Sequence, residues 1–184
     1  VGGYALTNNT SGNDNDAFGR NALYNLTTGS YNVGLGSRTL EYLVSGSSNT
    51  AVGRQTLRNN TASDNSAFGS TALYSNTSGT DNNAFGKSAL YSNTTGDYNT
   101  AMGDGAGYAN TTGAANTAFG ASALNANTTA NNNTAVGFSA LVANTTGASN
   151  VAIGVEALDA NTTASGNNAV GSNALGANTT GASN

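Results

Sequence analysis

Few side chains here could carry out chemistry. The carboxylates are Asp14, Asp16, Glu41, Asp64, Asp81, Asp97, Asp104, Glu156 and Asp159, and the cations are Arg20, Arg38, Arg54, Arg58 and Lys87. There is no His and no Cys. Nucleophilic relays of the Ser-His-Asp or Cys-His kind are therefore excluded, as are imidazole or thiolate metal sites and disulfide frameworks. Asn13-Asp14-Asn15-Asp16 has the oxygen content of a Ca²⁺ loop, but no EF-hand or repeated calcium-binding spacing follows, and a solvated loop is the expectation. No carboxylate pair recurs in the way that would support glycoside hydrolysis. No enzyme, metal or cofactor is expected. The net charge of −4, with all five cations in the first half of the chain, gives no electrostatic footprint for nucleic acid.

Regularly spaced polar side chains are the other candidates. Asn93, Asn110, Asn127 and Asn144 each begin an Asn-Thr-Thr triplet, as do Asn161 and Asn178. Such triplets are acceptors for N-linked sugar, or else corners of a turn whose amides stack from copy to copy. The stacked ladder is the favoured reading. The Thr pairs, such as Thr94-Thr95 and Thr145-Thr146, can be explained by turn chemistry. On extended backbone adjacent side chains alternate, so only one Thr column can face outward. Tyr24, Tyr74, Tyr91 and Tyr108 follow a repeated Leu or its equivalent. Tyr74 and Tyr91 could form a surface column that docks saccharide or protein, or a stack from copy to copy, which is favoured.

All these residues are positioned by one repeat. Gly recurs at 2, 19, 36, 53, 69, 86, 103, 120, 137, 154 and 171, at intervals of 17 except for a single 16. The unit is Asn-Thr-Ala-(Val/Phe)-Gly-x-x-Ala-Leu-x-x-Asn-Thr-Thr-Gly-x-x, as in 133–149. It gives 31 Asn, 26 Thr and 25 Gly, nearly half the chain. Composition alone could suggest disorder, but that normally goes with high net charge and abundant Pro, Lys and Glu. About eleven copies fill residues 1–184 as a single segment without linker or boundary, and both ends fall inside a copy. A stretch of a longer repetitive fibre is expected.

The unit is too short for a helix pair, and Asn, Thr and Gly favour helix poorly. The chain contains no Asn-Gly dipeptide, which argues against a meander of two-residue hairpins. An all-β fold follows, a parallel β-solenoid or β-roll of about eleven 17-residue coils. Each coil is expected to carry two short strands, exemplified by 133–136 and 139–143. Gly19, Gly53, Gly86, Gly120, Gly137 and Gly154 turn the chain between them. Alternation assigns the large apolar residues to the interior. The expected core ladder pairs Phe18 with Leu23, Phe68 with Leu73, Phe85 with Leu90, Phe119 with Leu124, Val136 with Leu141 and Ile153 with Leu158. The Ala residues beside them (Ala84, Ala89, Ala118, Ala123, Ala135 and Ala140) then point outward. So small an outward face predicts tight packing between chains. Two large side chains per coil also leave a lone chain poorly compensated for its backbone entropy.

The string Ala135-Val136-Gly137-Phe138-Ser139-Ala140, repeated as Ala152-Ile153-Gly154-Val155-Glu156-Ala157, resembles the head repeats of YadA-like trimeric autotransporter adhesins. Similar repeats occur in phage tail fibres. The resemblance implies a left-handed parallel β-roll assembled as a side-by-side homotrimer on a cell or virion surface. The unit here is longer than the family's, by its Asn-Thr-Thr-Gly return segment. The functional expectation is an extracellular structural fibre or shaft, a stiff spacer whose partners are identical chains. Two alternatives stand beside it: a module binding glycans or a host surface through Tyr, Thr or Asn columns, and a self-assembling matrix filament carrying sugar. No run of residues is apolar enough to span a membrane.

Overall fold

The structure, a computed structural model, describes residues 2–184. Its strands are three residues each: β1 (Asp16–Phe18), β2 (Val33–Leu35), β3 (Thr50–Val52), β4 (Ser66–Phe68), β5 (Asn83–Phe85), β6 (Thr100–Met102), β7 (Thr117–Phe119), β8 (Thr134–Val136), β9 (Val151–Ile153) and β10 (Asn168–Val170). They form one parallel sheet in sequence order. Each residue pairs with its equivalent one repeat later, as Ala118 does with Ala135 and Ala135 with Ala152. The single 16-residue interval leaves this register intact: Val52 pairs with Phe68. The fold is therefore an all-β parallel solenoid with 17-residue coils. Ten strands make about nine turns, fewer than the eleven copies would suggest, because the terminal copies add loops and turns but no strand among the described residues.

The second expected strand does not form. Residues 139–143 lie in a turn segment, with Ser139 at φ 54° and Leu141 at φ 51°. Every Leu of this column lies between φ 49° and 53°, a left-handed conformation that costs an L-residue roughly 1–2 kcal/mol. Hydrogen bonding and burial keep it there. The Ser139 amide donates back to Ala121 O at 3.0 Å, and the Leu141 amide donates forward to Ala157 O at 2.9 Å. The ladder between coils thus continues through the turn without strand geometry. It also continues through the return segment, where the Thr145 amide reaches Thr162 O at 2.8 Å and the Ser149 amide reaches Asn131 O at 3.1 Å.

The turn glycines fall where the repeat places them. Gly19, Gly53, Gly86, Gly120, Gly137 and Gly154 have φ between 131° and 139°. A Cβ on Gly137 would also collide with the carbonyl of Gly154 in the next coil. Coils stack too closely at this corner for any side chain.

The faces of the strand are the reverse of the expected assignment. Leu23, Leu73, Leu90, Leu124, Leu141 and Leu158 are buried as anticipated, but Ala84, Ala89, Ala118, Ala123, Ala135 and Ala140 share the core with them. These Ala residues cannot be an inter-chain face. Phe18, Phe68, Phe119 and Ile153 are exposed, while Phe85 and Val136 are half-buried. The reason is the width of the coil. At Gly34, where other copies have Ala, an added methyl would already lie 3.3 Å from Leu23 Cγ and 3.1 Å from Thr39 Oγ1. Leu from the opposite wall fills the lumen, and the strand has room to contribute only a methyl group. The larger side chain must face outward.

Candidate functional site

Three surfaces of the rod could act on something outside it. The first is the outer face of the sheet, where Phe18, Leu35, Val52, Phe68, Phe85, Met102, Phe119, Val136, Ile153 and Val170 stand one above another. Phe18 is 61% exposed and Phe119 51%. Within the column Phe68 and Phe85 stack at 4.9 Å between centroids with 7° between planes. Scattered exposed apolar residues are normal, but a continuous stripe marks an interaction surface.

The second is the return loop, and here the structure rules out the sugar-acceptor reading for four candidates. Asn93, Asn110, Asn127 and Asn144 are buried. Each Nδ2 donates twice inside the chain: that of Asn144 reaches Asn127 Oδ1 at 3.2 Å and Gly147 O at 2.9 Å. The nitrogen that would carry a glycan is therefore engaged and out of reach. A second Asn ladder runs parallel to this one. Asn150 donates its amide N–H to Asn133 Oδ1 at 2.9 Å and its Nδ2 to the same oxygen at 3.3 Å. The two ladders meet on one acceptor, because Asn133 Nδ2 also donates to Gly147 O, at 2.9 Å. The ladders close the backbone of the return corner inside the core. Of the Thr pairs, the first hydroxyl bonds to the next coil, as Thr94 Oγ1 does to Thr111 O at 2.9 Å. The second, at Thr95, Thr112, Thr129, Thr146 and Thr163, forms an exposed column.

The third surface is the corner after the Leu column. Tyr74, Tyr91 and Tyr108 stack at 5.2 Å with planes 5–6° apart. Tyr74 and Tyr91 thus spend ring faces on each other and do not form an open docking column. Below them the repeat is broken, since Glu41 and Arg58 occupy the Tyr register in consecutive coils. Arg58 Nε donates to Glu41 Oε2 at 2.6 Å and its Nη1 to the Tyr74 hydroxyl at 2.9 Å. Its guanidinium lies 5.2 Å from the Tyr42 ring centroid, within cation–π range. Arg38 Nε sits 3.9 Å from Glu41 Oε1. Burial alone would raise the Glu41 carboxyl. The hydrogen bonds from Arg58 and Asn21, with the charges of Arg58 and Arg38, outweigh burial and hold it below its ordinary value. Arg58 is held above the ordinary guanidinium value, chiefly by its bond to Glu41 acting against burial, and further by the Tyr74 hydroxyl.

Beside this cluster opens a cleft of about 490 Å³, walled by Tyr4, Tyr24 and Tyr42, with Asn21, Asn25, Arg20 and Glu41 also lining it. The 17-residue pattern does not single out these charged residues. The available signal was local: coils two to four lose the consensus residue at several positions together. Thr39 and Thr56 replace Ala, Leu26 and Leu43 replace the corner Asn, and Glu41 and Arg58 replace Tyr.

Among the described residues no group of three or more His, Cys, Asp or Glu side chains could hold a metal, so the Asp14–Asp16 segment does not close into such a cluster. Among the described residues no helix is long and apolar enough to cross a membrane. No protein-family model, curated protein or solved structure matches the chain.

Proposed function

We propose that the chain is a structural segment of an extracellular fibre, a stiff spacer in an adhesin or phage-fibre shaft, assembled from parallel copies of itself. The observation that carries this reading is the column of outward apolar side chains on a rod whose coils are laddered to one another through strand, turn and return segment. Taking about 200 Å² for a fully exposed large side chain, the seven exposed members from Phe18 to Val170 present roughly 700 Å². That is somewhat more than soluble monomers leave as one patch, and it approaches the ~800 Å² each partner gives a standard interface.

A second copy fits best because the column has a fixed pitch. Its residues recur once per coil, at ladder spacing of about 4.8 Å. Only a partner with the same pitch can match it coil for coil, and an identical chain in parallel has that pitch by construction. A homotrimer is the form implied by the resemblance of Ala135–Ala140 to adhesin head repeats. Three outward columns meeting on one axis would bury it fully. Nine strand-to-strand steps give a rod on the order of 45 Å long, and its rigidity supports a spacing role. Light scattering on the purified chain, coupled to small-angle X-ray scattering, tests this. A mass three times 18.1 kDa with a rod-like profile is expected, and Phe119→Ser should lower the association. A monomer at micromolar concentration would overturn the proposal.

A further inference from the structure

We infer that the cleft at Arg20, Tyr24 and Tyr42 is a binding site for a carboxylated saccharide. The site is distinct from the apolar column and does not depend on the fibre reading. Its volume of about 490 Å³ falls among those of small-molecule sites.

Tyr24 offers the cleft an aromatic wall that its equivalents along the corner do not. Tyr74, Tyr91 and Tyr108 cover one another. Tyr24 has Glu41 in place of a ring one coil above it, and it takes part in no ring stack. A free phenol face packs against the apolar face of a sugar ring, and the hydroxyl remains at the rim for hydrogen bonding.

The polar groups are oriented in advance. Asn25 Nδ2 is held by Glu41 O at 2.8 Å, and Asn21 Nδ2 by Glu41 Oε1 at 3.1 Å. Each amide is thereby fixed with its Oδ1 accepting no bond among the described residues, which leaves two positioned acceptors for sugar hydroxyls. Glu41 is the shared anchor, itself locked by Arg58 at 2.6 Å. Rigid first contacts supported by a second layer of bonds are what a binding site requires.

Charge selects the acid. Glu41 is already matched by Arg58 and Arg38, so it offers little free negative charge to the cleft. Arg20 is exposed, lines the cleft and joins no salt bridge among the described residues. It presents a planar fork suited to a carboxylate. Arg20, Arg38 and Arg58 against Glu41 make this corner locally cationic on a chain of net charge −4.

The test uses the whole 184-residue chain and three probes, sialyllactose, a glucuronate-containing disaccharide and neutral lactose, followed by calorimetry and ligand-observed NMR. Saturable binding of either acidic probe at least about tenfold tighter than lactose is expected, and the two acidic arms show which acid is held. Arg20→Gln should remove that preference, and Tyr24→Ala should weaken binding of both classes. Tyr98→Ala, exposed elsewhere, should change nothing. Unchanged thermal melting of Arg20→Gln confirms that the fold survives. The inference is overturned if none of the probes saturates at millimolar concentration. Equal affinity for lactose and the acids, or undiminished acid preference in Arg20→Gln, would overturn it too.

Discussion

Replacing Asn133 by Ala should destabilise the chain by about 3–5 kcal/mol, although the substituted residue touches no ligand and lies far from either end. Three hydrogen bonds are removed: Nδ2 to Gly147 O at 2.9 Å, and the two that Oδ1 accepts from Asn150, at 2.9 and 3.3 Å. Net values near 1 kcal/mol each give about 3 kcal/mol. The Asn150 amide N–H then lies buried with no acceptor, and an orphaned buried donor adds about 1–3 kcal/mol. Part of this is recovered because Gly147 O keeps Asn144 Nδ2 at 2.9 Å and Asn116 Oδ1 keeps the Asn133 backbone N–H at 3.0 Å. Urea unfolding followed by far-ultraviolet circular dichroism measures the loss. Thr146→Ala, at an exposed hydroxyl of the same return loop, is the companion and should cost under about 0.5 kcal/mol. A cost below about 1 kcal/mol for Asn133→Ala, or equal costs for the two variants, would refute the claim that buried amide ladders hold the coil corners.

Other perturbations probe other parts of the coil. Gly137→Ala forces a methyl into the Gly154 carbonyl at a backbone φ of 135°, and thermal melting should show a loss of at least about 2 kcal/mol. Ala118→Leu overfills a core position only 2% exposed and should cost about 1–3 kcal/mol by urea unfolding. Glu41 gives a pH dependence of defined sign. Its folded carboxyl is held below the ordinary 4.5, so the unfolded chain binds its proton first as pH falls. The stabilisation is full above that value and is lost on acidification through the folded pKa. Melting temperatures measured from about pH 7 to about pH 3 should fall for the wild type, and Glu41→Gln should remove that component of the fall.

Much of this architecture can be read from the repeat because the period is strict. Gly at each corner, Leu at a constant offset and the absence of any Asn-Gly dipeptide together dictate a parallel solenoid, and the buried Leu column and stacked Asn amides follow. The orientation of the strand could not be read in the same way. In a three-residue strand such as Thr134-Ala135-Val136, alternation distinguishes two faces without saying which is inside. Side-chain size then points the wrong way, because Leu141 and its equivalents already occupy the narrow lumen and leave Ala135 the only space. Nor does the sequence announce a left-handed Leu. Turn propensity favours Gly or Asn at positive φ, and Leu141 is held there by ladder bonds and burial that belong to the stacked coils. The cleft was hidden for a third reason. Arg20, Tyr24, Glu41 and Tyr42 are spread over two coils, and only the fold brings them to one corner.

Cysteine substitution tests the account most directly, since the chain contains no Cys of its own. Val136→Cys and Ala135→Cys place a thiol on adjacent residues of β8, the first on the outward column and the second in the core. Under mild oxidation Val136→Cys should form a disulfide-linked pair of chains. Ala135→Cys should stay unlinked and resist maleimide until the chain is unfolded. A protected thiol at 136 with a reactive or cross-linking thiol at 135 would contradict both the assignment of faces and the proposed assembly through the apolar column.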